Sequence, residues 1–136
     1  MEGLGVLSAK VRAFLNEKRF ASLATINPDG TPQQSIMWYL LQDNQIMMNT
    51  AEGRVKVRNV RRDPRVSICI EDEYRFVTIT GRVELDEDRD RALNDIHRLA
   101  IRYHGQPKAD EMMDSFRRDQ RLTLFMSIDH VVSNGV

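Results

Sequence analysis

The segment "FASLATINPDGTPQQSIMWYLL", Phe20 to Leu41, narrows the fold more than any other part of the chain. Its first half alternates apolar and polar residues, "NPDG" supplies turn chemistry, and the second half resumes as a strand through Trp38 and Tyr39. Alternation on both sides of a short turn predicts an antiparallel hairpin. Pro32 suits the entrance or edge of the second strand. After a "QDN" turn, "QIMMNT" predicts a third strand, and "RVSICIED" and "YRFVTITGRVEL" predict a fourth and fifth joined at Asp72 and Glu73. "RLTLFMSIDHVV" predicts a sixth.

Helical periodicity fills the gaps. Ser8 is placed to cap a helix with Leu7, Val11, Phe14 and Leu15 on one stripe, ending near Lys18. "EGRVKVRNVRRD" predicts a short helix that stops by Asp63, because the residue before Pro64 is driven from helical geometry. Asp86 and Asp88 open a longer helix carrying Leu93, Ile96, Ala100 and Tyr103 on one face, "HGQP" breaks it, and "ADEMMDSFRRD" predicts another. Strands joined by hairpins, with one helix between the third and fourth and two before the last, predict a small antiparallel barrel with helical covers. A doubly wound parallel sheet is excluded by that order. The 136 residues suit a single domain, 1–136.

Composition limits the function classes. With 41% hydrophobic and 29% charged residues, and no apolar run of spanning length, the chain is expected to have no membrane role. The N-terminus does not read as a secretory signal, so a cytoplasmic location is expected. Cys69 has no cysteine to pair with and is expected to pack inside "RVSICI". Twenty basic residues balance twenty acidic ones, which argues against a nucleic-acid partner. No GxGxxG, GxxxxGK, HExxH, CxxC pair or GxSxG occurs, and His97, His104 and His130 lack ligand spacing, so no metal is expected.

Against that neutral background, "TAEGRVKVRNVRRDPRV", Thr50 to Val66, gathers six basic residues. Asn49, Thr50, Glu52 and Gly53 lead from a strand end to a helix start, where free backbone amides receive anions. Arg54 and Lys56 stand at that end and, with the Thr50 hydroxyl, supply the donors a phosphate needs. Arg58, Arg61, Arg62 and Arg65 read equally as solvated charges or as partners of Asp63 and Glu71. The pattern alone leaves two readings open, a phosphate site and a solvated helix face.

The run from "FASLATINPDGTPQ" through "RVKVRNVRRDPRVSI" to "GRVEL" resembles the split-barrel flavin and deazaflavin oxidoreductases related to pyridoxamine phosphate oxidase. With "NTAEGRVKVRNVRRDPRVS" and a terminal "SIDHV", it is similar to the branch of F420-dependent enzymes. That resemblance implies a six-stranded antiparallel split β-barrel and a homodimer with a cofactor in each groove between subunits. The phosphate would be held at the positions of Asn49, Thr50, Arg54, Val55 and Lys56, with Arg58 or Arg62 meeting the acidic tail. The deazaflavin ring would lie against Gln33, Ser35, Ile36, Met37 and Trp38, with Tyr74, Arg75 and Phe76 arriving from the partner chain. Hydride transfer from F420 to a small electron-poor acceptor is the implied reaction. FMN is the alternative cofactor, and binding of F420 or flavin without turnover the alternative role. The chain ends in "VVSNGV" rather than the arginine-rich segment of true pyridoxamine phosphate oxidases, so that activity itself is not expected.

Overall fold

The computed structural model describes residues 2–3 and 7–136. Its strands are β1 (Glu2–Gly3), β2 (Ala21–Ile26), β3 (Pro32–Met37), β4 (Leu40–Gln42), β5 (Gln45–Ala51), β6 (Arg65–Asp72), β7 (Arg75–Asp86), β8 (Arg121–Ser127) and β9 (His130–Asn134). Four helices, α1 (Ala9–Asn16), α2 (Val55–Arg62), α3 (Arg89–His104) and α4 (Gln106–Arg118), complete the described residues. The strands form one curled antiparallel sheet in the order β3-β2-β6-β7-β8-β5-β4, with β9 pairing β7 and β1. This is the expected split barrel, mainly β with helical covers.

The predicted hairpin is present, with Ala21 opposite Met37 and Ile26 opposite Pro32. Its second strand stops before Trp38 because the Tyr39 amide donates to the Tyr103 hydroxyl, 3.1 Å away, instead of to a strand neighbour. The predicted sixth strand is two. β8 pairs with Val83–Asp86 of β7, whereas β9 pairs with Phe76–Thr80, so the chain must shift along β7 at Ile128 and Asp129. At that crossing Gly81 approaches Ser127 so closely that an added Cβ would sit 1.8 Å from the Ser127 carbonyl oxygen.

Local chemistry sets the helix ends. The Val11 amide donates to Ser8 Oγ at 3.1 Å, the cap that the sequence predicts, and the Arg91 amide donates to Asp88 Oδ1 at 2.9 Å, so that of the two acids read at the opening of α3, Asp88 is its cap. Gly105, at φ +85°, turns α3 into α4. The free carbonyls ending α1 accept from Arg102, which reaches Leu15, Asn16 and Glu17 at 3.2 Å, and from the Tyr39 hydroxyl at 2.7 Å.

Two apolar clusters flank β5. Ile46 and Met48 face the barrel interior with Phe14, Leu15, Leu23, Ile68 and Leu124. Met47 faces the other way, beneath α3 and α4, with Ile96, Leu99, Tyr103 and Met113. A strand buried on both sides has no reason to alternate, which accounts for the continuous run "IMMNTA". Cys69 departs from the expectation of a core residue. It is half-buried on the outer face of β6, opposite Ser22 and Thr78, while Ile68 and Ile70 fill the core.

Candidate functional site

β5 delivers Asn49, Thr50 and Ala51 to the sheet end, Gly53 turns at φ +91°, and Arg54 takes the N-cap position of α2. Arg54 makes no side-chain cap bond, so the helix opens without a cap of its own. A buried network joins this helix to the hairpin. Asn59 Nδ2 donates to Thr25 Oγ1 at 2.9 Å and Asn27 Oδ1 at 3.0 Å, and Thr25 Oγ1 donates to Gln33 Oε1 at 2.9 Å. The phosphate-type helix and the strand expected to face a ring are thereby held in one frame.

The six cations of the block divide by partner. Arg58 donates to the Gly53 carbonyl at 3.0 Å, Arg61 pairs with Glu52 at 2.5 Å and Glu87 at 2.8 Å, Arg62 donates to the Ile26 carbonyl and Asn59 Oδ1, and Arg65 pairs with Asp63 at 2.8 Å. These four act as structural ties, and Glu52 and Asp63 are held below their ordinary carboxylate values by Arg61 and Arg65. The side chains of Arg54 and Lys56 have no hydrogen-bond or ion-pair partner among the described residues. Lys56 is half-buried, and its amine is pushed below the usual lysine range by burial first, then by Arg54 and Arg121.

Beside these cations lies a pocket of about 200 Å³ lined by Ile36, Met37, Trp38, Asn49, Ile96, Leu99, Phe116 and Arg121. Its wall is apolar except for Asn49 and Arg121. Trp38 is fixed by near-parallel stacking on Tyr103, 5.2 Å between centroids, and by the edge of His104. Thr50 is buried beside Asn49, and Val55 is exposed at the helix start. Ser35 Oγ, on the same strand as Met37, is shut off from water and makes no hydrogen bond. Cations without side-chain partners at the helix start, near an apolar-walled pocket, fit a phosphorylated flavin-type group.

Other expected residues lie elsewhere. Gln33 is taken up by Thr25, and Ile36, 66% exposed, reaches the outer face of the sheet as well as the pocket rim. Tyr74, Arg75 and Phe76 sit at the far end of β6 from α2 and do not line the pocket. Tyr74 is 88% exposed, and Arg75 pairs with Asp72. His97 is hydrogen-bonded to Asp110 at 2.7 Å, and no group of three metal-ligating side chains occurs among the described residues. Arg121 escaped the sequence reading because pairing of β5 with β8 brings it to the site, and Phe116 because it arrives on α4, its ring 5.1 Å from the Arg121 guanidinium.

The solved structures similar to this chain point the same way. A conserved hypothetical protein from Mycobacterium tuberculosis is 32% identical, covering 94% of this chain and 84% of its own, with a TM-score of 0.78. A protein described as an F420 reductase is 26% identical, covering 93% of this chain and 98% of its own, with a TM-score of 0.75. A Listeria innocua protein named as a candidate pyridoxamine 5'-phosphate oxidase shares the fold at 16% identity, 93% and 97% coverage and a TM-score of 0.71. The pyridoxamine 5'-phosphate oxidase profile matches residues 7–125, and the chain belongs to that split-barrel family of flavin and deazaflavin proteins.

Proposed function

We propose that this protein is an F420-dependent oxidoreductase acting on a small electron-poor organic acceptor. The observation that carries the reading is the pair Arg54 and Lys56, left without partners where their four neighbours in the block are all engaged. The similarity to an F420 reductase across nearly the whole chain favours the deazaflavin.

Arg54 and Lys56 bind the phosphodiester, Lys56 from a partly desolvated position where a charge-assisted bond is strengthened. Ser35 on β3 carries an unpartnered hydroxyl, whereas Asn49 on β5 is held by Ala92, Thr123 and Arg121 and acts by bracing that arginine. Met37, Trp38, Ile96 and Leu99 exclude water and present a flat apolar wall for a ring. Bound there, the deazaflavin would supply the hydride, so the reaction needs no protein nucleophile. We take the working unit to be a homodimer. The outer face of β2, β6 and β7 presents Ser22, Ala24, Ser67, Cys69, Thr78 and Thr80, small residues able to meet a second sheet closely, with Ile36 and Val132 exposed beside them. On a partner chain, Tyr74 and Phe76 would have a surface to cover.

FMN is the second reading, and one observation favours it. Arg58 and Arg62, expected at an oligoglutamate tail, are occupied by the Gly53 and Ile26 carbonyls, leaving a cation set that a single phosphate would satisfy. Quenching of F420 fluorescence on addition of purified protein tests the first reading. Saturable quenching is expected, and no response to F420 would overturn it.

A further inference from the structure

Arg121 lies outside the basic block, yet the fold sets it against that block. The β5–β8 register puts it directly opposite Ala51, and the Glu52 amide donates to the Gln120 carbonyl at 2.9 Å. The start of β8 therefore abuts the turn that enters α2. Arg121 is only 8% exposed. Its Nε donates to Asn49 Oδ1 at 3.0 Å, its Nη1 to Asp119 Oδ2 at 3.1 Å, and its guanidinium stands 5.1 Å from the Phe116 ring centroid. Nη2 makes no hydrogen bond among the described residues, and the side chain lines the pocket.

Asn49 is itself locked. Its Nδ2 donates to the Ala92 carbonyl at 2.9 Å and to Thr123 Oγ1 at 3.4 Å, and Thr123 donates to Asp95 at 2.7 Å. An arginine so braced is aimed, not merely accommodated. After burial, Arg54 and Arg121 both disfavour the charge on Lys56, and Arg54 also disfavours that on Arg121. Asp119 offsets one of the three charges, which leaves two in excess around a partly desolvated opening. Such crowding disfavours folding unless an anion relieves it.

We propose that Arg121 is a third binding residue of one oxyanion site, with Arg54 and Lys56, and that this site takes a phosphoryl-bearing ligand. The assignment deepens the cofactor reading above, although the phosphoryl group has two sources: the cofactor itself or a phosphorylated acceptor. Braced by Asn49 and Asp119, the guanidinium fork fixes the phosphoryl position relative to the apolar wall.

The test uses the full chain, freed of cofactor, titrated with inorganic phosphate at constant ionic strength, with chloride as control. Thermal melts and calorimetry are the readouts. Phosphate, but not chloride, is expected to raise Tm, with affinity falling about tenfold or more in both Arg121→Gln and Lys56→Ala. Arg121→Lys, which keeps the charge without the fork, is expected to be intermediate and serves if the glutamine variant does not fold. No phosphate binding by the unaltered protein would overturn the proposal. So would a lowered Tm in the Arg121 variants with phosphate affinity unchanged, the mark of a purely structural arginine. Parallel titrations with FMN and riboflavin separate the sources. Loss of FMN but not riboflavin affinity in Arg121→Gln assigns the phosphoryl to the cofactor, whereas unchanged FMN affinity with lost phosphate binding assigns it to the acceptor. Phosphate binding with no binding of F420 or FMN would uphold the site and overturn the cofactor reading instead.

Discussion

At the scale of single residues, Lys56 separates a binding site from a solvated helix face. It is half-buried among cations and has its charge disfavoured, by burial first and then by Arg54 and Arg121. Lys56→Ala is expected to weaken cofactor binding by about 1–3 kcal/mol, the loss of one charge-assisted hydrogen bond, without lowering Tm. Equal affinity in calorimetry would contradict that. The pH dependence has a definite sign. Because the folded-state pKa lies below the unfolded value, the unfolded chain holds more protons between the two, and ligand-free stability gains from Lys56 as pH rises through that window. NMR titration of the Lys56 amine is expected to give a midpoint below 10.5 without ligand and a higher one with phosphate bound; no upward movement would contradict the site. The sequence marked Arg54 and Lys56 because they adjoin a strand end and a helix start. Asp63 was legible as a partner of the block and pairs with Arg65. The sequence could not show that Arg58, Arg61 and Arg62 are taken up by Gly53, Glu52, Glu87 and Ile26, and it passed over Arg121 because its place beside the block is set by strand pairing.

At the scale of elements, α2 does its work through its attachment. Asn59 is buried between the helix and the β2–β3 hairpin and satisfies Thr25 and Asn27 together. Asn59→Ala would strip both acceptors of their donor, and a loss of about 1–3 kcal/mol is expected from denaturant midpoints at constant slope. A variant as stable as the unaltered chain would mean that the network does not hold α2. Hairpins and caps were legible because their signals are local: NPDG for the turn, Ser8 and Asp88 for the caps. The end of β3 and the β8–β9 break were not, since the first depends on the Tyr103 hydroxyl taking the Tyr39 amide and the second on a shift along β7.

At the scale of the whole molecule, the cations and the apolar pocket lie at one end of the sheet, and Tyr74 and Phe76 stand apart from them at the β6–β7 turn. A homodimer joined through the small-residue face would unite them. Light scattering is expected to give twice the mass of one chain. Cys69→Arg, which puts a long charged side chain on that face, is expected to give a single-chain mass and reduced cofactor affinity. A monomeric unaltered protein would contradict this assembly. The family could be recognised in the sequence because its hairpin, basic block and terminal strand occur in order, but the pocket could not, since its walls are assembled from β3, β5, α3, α4 and β8 together. The most direct test of the central claim is a side-by-side titration of the unaltered protein and Lys56→Ala with F420 and FMN, at moderate salt. Tighter binding of F420 than FMN, with both weakened by the substitution, is the result this account predicts; no binding of either cofactor, or affinities indifferent to Lys56, would contradict it.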